Sequence, residues 1–112
     1  MSEEHPAATV LEGVIALSGL VQYQTGAVVS RTILKTATGT VTAFAFDAGE
    51  ALSEHTAQFD ALVLAVEGES VISIAGTRHR VSSGHLLRLP AGRPHAVQAV
   101  SRFTMLLIML RP

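Results

Sequence analysis

From residue 27 onward the apolar and polar positions change over short runs, not with a helical period. Val28–Lys35 (VVSRTILK) and Thr40–Phe46 (TVTAFAF) are rich in β-branched and aromatic residues, which suit a pleated, half-buried surface. Thr36-Ala-Thr-Gly39 between them reads as a hairpin loop. Further strands are expected at Leu62–Glu67, Ser70–Ala75, Arg78–Ser82, Leu86–Leu89, Ala96–Ala99 and Phe103–Leu110, with glycine, serine or proline in nearly every break. Short strands at regular spacing with turn residues between them indicate an all-β sandwich or barrel. Residues 1–26 read as a short N-terminal arm and 27–112 as the barrel. Gly13–Gln24 is ambiguous: Leu17, Leu20 and Val21 have helical spacing, but Gly13 and Gly19 interrupt any long helix.

Two strands lack alternation. Leu62-Val-Leu-Ala-Val66 and Met105-Leu-Leu-Ile-Met-Leu110 are apolar on both faces, whereas a strand with one face in water alternates. Something must cover the second face. A homodimer packing sheet against sheet is the favoured reading, and residues 1–25 folding back over the same surface is the alternative.

The chain has 112 residues, 48% of them hydrophobic and 15% charged, which fits one folded domain and excludes a disordered one. A formal net charge of −1 and five aromatic residues give neither the basic footprint nor the stacking platform of a nucleic-acid binder. There is no cysteine, so disulfides, thiolate nucleophiles and Cys-ligated metals are out. The start, Met1-Ser-Glu-Glu-His-Pro6, is acidic where a leader would be basic, and no apolar run approaches the roughly 20 residues that span a bilayer. The expected setting is cytoplasmic, with no membrane partner.

The remaining chemistry lies with histidine. Gly49-Glu-Ala-Leu-Ser-Glu-His55, closed by Gly68, and Gly84-His-Leu-Leu-Arg-Leu-Pro90-Ala-Gly92-Arg-Pro-His95 resemble the two motifs of the cupin family. The match falls on Gly49, His55, Gly68, Gly84, Pro90, Gly92 and His95 and covers about residues 40–110. The resemblance implies a double-stranded β-helix (jelly-roll) barrel with a small-molecule ligand or substrate and a divalent metal, Fe, Mn, Ni or Zn not being distinguished. It departs from the family at Ala57 and Ala61, where a second histidine and a glutamate would stand, and at Ala99, where Asn is usual. Only His55 and His95 remain as metal ligands by position, with Gln58 or Asp60 as candidate third ligands if a bulge or loop turns one inward. Asp60 otherwise reads as a turn carboxylate bonding backbone N–H groups, and Gln58 as a solvated amide.

His5 reads as solvated and His79 as exposed at a hairpin. His85 and Arg88 have no settled direction; an inward Arg88 would bind an anion, an outward one would pair with a surface acid. No serine elbow or spaced carboxylate pair is visible. The sequence leaves two main functions open, beside a structural or storage dimer that rests only on the apolar strands. One is an enzyme acting on a small organic substrate through a two-histidine metal site. The other is a non-enzymatic ligand-binding or sensor barrel in which the two imidazoles are polar groups of the mouth.

Overall fold

In the computed structural model, residues 13–112 are described; His5, Val10 and Leu11 lie outside them. Nine strands follow one 3-10 turn at Leu17–Gly19, in the order β1 (Val28–Thr36), β2 (Gly39–Phe46), β3 (Ala51–His55), β4 (Ala61–Glu67), β5 (Glu69–Ile74), β6 (Thr77–Ser82), β7 (Leu86–Leu89), β8 (His95–Ala99) and β9 (Phe103–Leu110). They form two antiparallel sheets, β1-β2-β9-β4-β7 and β3-β8-β5-β6. The all-β jelly roll expected from the sequence is therefore the fold, with one added strand, β3. No described helix is long and apolar enough to cross a membrane.

The short corners fix how the sheets stack. Residues 47–50, 68, 83–85 and 100–102 join β2 to β3, β4 to β5, β6 to β7 and β8 to β9. A connection that short can only link strands that face each other, so β2 lies over β3, β9 over β8, β4 over β5 and β7 over β6. Strand β1 has no counterpart and overhangs the smaller sheet. The core between the sheets is built from Phe46, Val63, Ile72, Val97, Phe103 and Met105, all nearly inaccessible. Phe46 and Phe103 pack with ring centroids 5.8 Å apart at 50°, a tilted geometry that suits aromatic pairs.

Both faces of β9, and of the Ala43–Phe46 end of β2, are apolar because both are used. Inward residues join the core, while outward Ala43 and Ala45 form a second cluster with Leu20, Val21 and Ile33. The segment after the 3-10 turn thus folds over part of the outer face of the larger sheet. Tyr23 anchors it: its hydroxyl donates to Glu67 (2.6 Å) and accepts from Thr104 (2.7 Å), with the Arg102 guanidinium 5.1 Å from its ring centroid. Burial raises the Tyr23 pKa, aided by the Glu67 contact. Farther along the same outer face, Leu34, Leu86 and Leu110 stay exposed.

Candidate functional site

His55 ends β3 and His95 begins β8, directly opposite each other. His95 reaches this place by the turn Pro90–Pro94 that joins β7 to β8. His55 does not follow a turn; it closes a strand that the sequence reading omits. Its inward aim comes from a bulge. Leu52 pairs with Val97 and His55 with His95, so β3 takes three steps where β8 takes two. Leu52 faces inward, and strict alternation would send His55 outward; the extra residue reverses it.

The two imidazoles meet with Nε2 atoms 3.1 Å apart and ring centroids separated by 4.4 Å. Each Nδ1 is tied to a backbone carbonyl, His55 to Ser53 at 3.0 Å and His95 to Arg93 at 3.3 Å. A carbonyl can only accept, so each Nδ1 carries its hydrogen. With each Nδ1 bearing hydrogen, the two Nε2 atoms are left to share a cation between them, a proton or a metal ion. Burial lowers the His95 pKa, with the Arg93 carbonyl opposing and nearby His55 adding to the decrease. A neutral ring is the form that serves as a ligand.

The loops that carry the pair are joined. Gly92 N–H donates to the Ala57 carbonyl (2.9 Å) and Ala91 N–H to the Asp60 carboxylate (2.8 Å). Asp60 also lies 3.6 Å from the Arg88 guanidinium. It therefore staples the β3–β4 loop to the β7–β8 turn, and Arg88 meets a surface acid. Gln58 is exposed in the same loop. Among the described residues no cluster of three His, Asp or Glu side chains could hold a metal ion, so Asp60 does not join the two histidines.

His79 and His85 stand apart from the pair. His79 is half-buried on the β6 face that carries Val81, not exposed as the sequence suggests. The alternation Thr77/His79/Val81 against Arg78/Arg80 was the available signal. The Nδ1 of His85 accepts the Ser82 N–H at 3.0 Å, capping the turn before β7. On the inner side of the sheets, Phe44, Leu52, Leu87, Leu107 and Met109 pack against the core but are only partly buried.

The donor set suits a divalent ion as far as it goes. Two donors at right angles, each about 2.1 Å from an ion, stand about 3.0 Å apart, close to the observed separation. Histidines that ligate metals also give their other N–H to a carbonyl or carboxylate, as both do here. Remaining positions would fall to water or a bound molecule.

Comparison with known proteins places the chain. A conserved protein of unknown function from Streptococcus pyogenes is 33% identical, with a TM-score of 0.85 and coverage of 90% of this chain and 89% of that one. A cupin superfamily protein from Desulfitobacterium hafniense is 29% identical, with TM-score 0.85 and coverage of 90% and 93%. A cupin 2 conserved barrel domain protein from Leptotrichia buccalis is 36% identical with TM-score 0.81, over 84% of this chain and 46% of its own. No curated protein matches the chain. Residues 39–112, which include both histidines and every motif glycine, match the AraC-like ligand binding domain. The chain belongs to that family of small cupins.

Proposed function

We propose that the chain binds a divalent metal ion through His55 and His95 and offers its open positions to a small organic molecule in the barrel mouth. The 3.1 Å approach of two Nε2 atoms whose Nδ1 atoms are both held by carbonyls carries this reading. When bound, such an ion supplies a Lewis acid toward an oxygen of the ligand. The chain's own residues fix the rest. The Ser53 and Arg93 carbonyls set the tautomer and tilt of each ring, and the partly buried Phe44, Leu107 and Met109 give the ligand an apolar contact that sheds water.

A second reading is a sensor or binding barrel without catalysis. It is favoured by Ala57 and Ala61, which provide no third and fourth ligand, and by the ligand-binding family to which the chain belongs. Elemental analysis of untagged protein purified without chelators separates the two. Near-stoichiometric metal that disappears in His55→Ala/His95→Ala, with the β-sheet circular dichroism retained, is the expected result. No uptake by the wild type after reconstitution overturns the metal reading and leaves the second.

We also propose a homodimer through the outer face of the larger sheet. Its support is the row Val41–Ile108–Leu62, continued by Leu106, Leu64 and Leu86, which strand pairing places side by side on that face.

A further inference from the structure

The first hairpin carries an inverted pattern. Strand register puts Lys35 opposite Thr40, Thr32 opposite Thr42 and Ser30 opposite Phe44. Thr40, Thr42 and Phe44 in turn pair with Met109, Leu107 and Met105, which belong to or pack against the core between the sheets. Paired residues share a face, so Ser30, Thr32, Lys35, Thr40 and Thr42 all belong to the inner side. The outer side of the same two strands carries Val29, Ile33, Leu34, Val41, Ala43 and Ala45, with Arg31 as its one charged residue, donating to the Leu20 carbonyl (3.1 Å). A barrel hairpin ordinarily has the opposite arrangement, apolar inside and polar outside.

A bulge between Thr32 and Leu34 is part of this design. It lets Ile33 reach the arm cluster and Leu34 stand beside Val41, and it returns Lys35 to the inner face. Lys35 is the only lysine in the chain. It forms no ion pair with another described residue.

The corner of residues 47–50 stacks β2 on β3, with Phe46 and Ala51 at the corner. His55, at the far end of β3, accordingly stands over the Thr40–Thr42 end of β2, and β1 continues that wall past the edge of the smaller sheet. Facing sheets lie about 10 Å apart. A molecule held there between β3 and β2 faces the imidazoles on one side and the Thr40 and Thr42 hydroxyls on the other, with the exposed Thr32 and Lys35 of the overhanging β1 beside them.

We propose that this inner face of β1 and β2 is the second wall of the ligand site and that the ligand is a small hydroxylated carboxylate. The hydroxyls of Thr32, Thr40 and Thr42 each donate and accept, matching a ligand's alcohol groups. The Lys35 ammonium supplies the one positive charge of the wall and takes the carboxylate. The flexible lysine stem lets it follow acids of different length. The proposal rests on the two-histidine mouth being the binding site.

Ligand-observed NMR tests it, with D-glycerate and D-gluconate as probes. Glycerol and sorbitol lack the carboxylate, and hexanoate lacks the hydroxyls. The metal-reconstituted wild type should bind the two hydroxy acids and not the three controls. Lys35→Gln should weaken the acids at least tenfold with metal uptake unchanged, and Thr42→Val should weaken them while keeping the shape of the wall. Equal binding of sorbitol and gluconate, unchanged binding by Lys35→Gln, or no binding of either acid overturns the proposal while leaving the metal site intact. If the wild type takes up no metal yet binds gluconate in a Lys35-dependent way, the wall stands and the metal reading falls.

Discussion

Two glycines of the motif pattern have the same backbone conformation but different surroundings, and this makes a quantitative test. Gly68 has φ +82° and Gly84 φ +87°. Replacing either by alanine forces an L residue into the left-handed region, at a cost of roughly 1–2 kcal/mol. At Gly84 nothing lies within 4 Å of the added methyl, so the cost ends there. At Gly68 the methyl would overlap the Arg102 carbonyl oxygen and stand 2.8 Å from its carbon, with Ser101 Oγ at 3.0 Å.

That turn cannot retreat freely. Glu69 N–H donates to Ser101 Oγ (3.0 Å), Val100 N–H to the Glu69 carbonyl (2.9 Å), and Ser83 N–H to the Gly68 carbonyl (3.0 Å). Breaking two such bonds costs about 1 kcal/mol each. Gly68→Ala should therefore lose about 3–4 kcal/mol, a large part of the roughly 5–15 kcal/mol that holds a domain. Gly84→Ala should lose about 1–2 kcal/mol. Urea denaturation followed by circular dichroism measures both. If the two variants unfold at the same midpoint with equal slopes, the close approach at Arg102 is not a constraint and the reasoning fails.

Three further outcomes are expected. The His95 pKa lies below its ordinary 6.5, so the unfolded chain takes up the proton first as pH falls. Its contribution to stability in metal-free protein is complete above about pH 6.5 and is lost as pH drops through the lower folded value; urea midpoints between pH 7.5 and 5 should fall more steeply for wild type than for His95→Gln, and equal slopes refute it. Asp60→Ala removes an acceptor from Ala91 N–H and should cost about 1 kcal/mol yet keep metal uptake, whereas lost uptake would make Asp60 a ligand. Ile108→Glu with Leu86→Glu should turn a dimer in light scattering into a folded monomer, and a wild type that is already monomeric removes the proposed interface.

Most of the fold was legible because its signals are local. β-branched runs marked the strands on either side of each turn, and the motif glycines Gly49, Gly68, Gly84 and Gly92 sit at corners where φ is positive. Strand β3 escaped because Ala51-Leu-Ser-Glu-His55 has no β-branched or aromatic residue, lies at a sheet edge and buries little. The second apolar face of β9 is covered in part, by Leu20 and Val21 in a cluster with Ala43, Ala45 and Leu106. Composition could not say that Leu20 and Val21 take only part of it, since that depends on where the arm crosses.

The site was half legible for a related reason. Motif register brought His55 and His95 together, but whether two side chains on neighbouring strands meet depends on both facing the same way, and a bulge changes that with one residue. From the sequence, Asp60 turns inward only if such an irregularity falls between His55 and Leu62. The structure places it before His55, at Ser53 and Glu54, and gives Asp60 the stapling role. The same carbonyl displaced by the bulge, that of Ser53, holds His55 Nδ1. One inserted residue thus turns the ring inward, fixes its tautomer and leaves its Nε2 facing His95. These steps have no hydrophobic signature, because a bulge is set by backbone register and not by side-chain type. The inward threonines of β2 were hidden in the same way: T-V-T-A-F-A-F alternates plainly, but only the register with β9 shows which half faces the histidines.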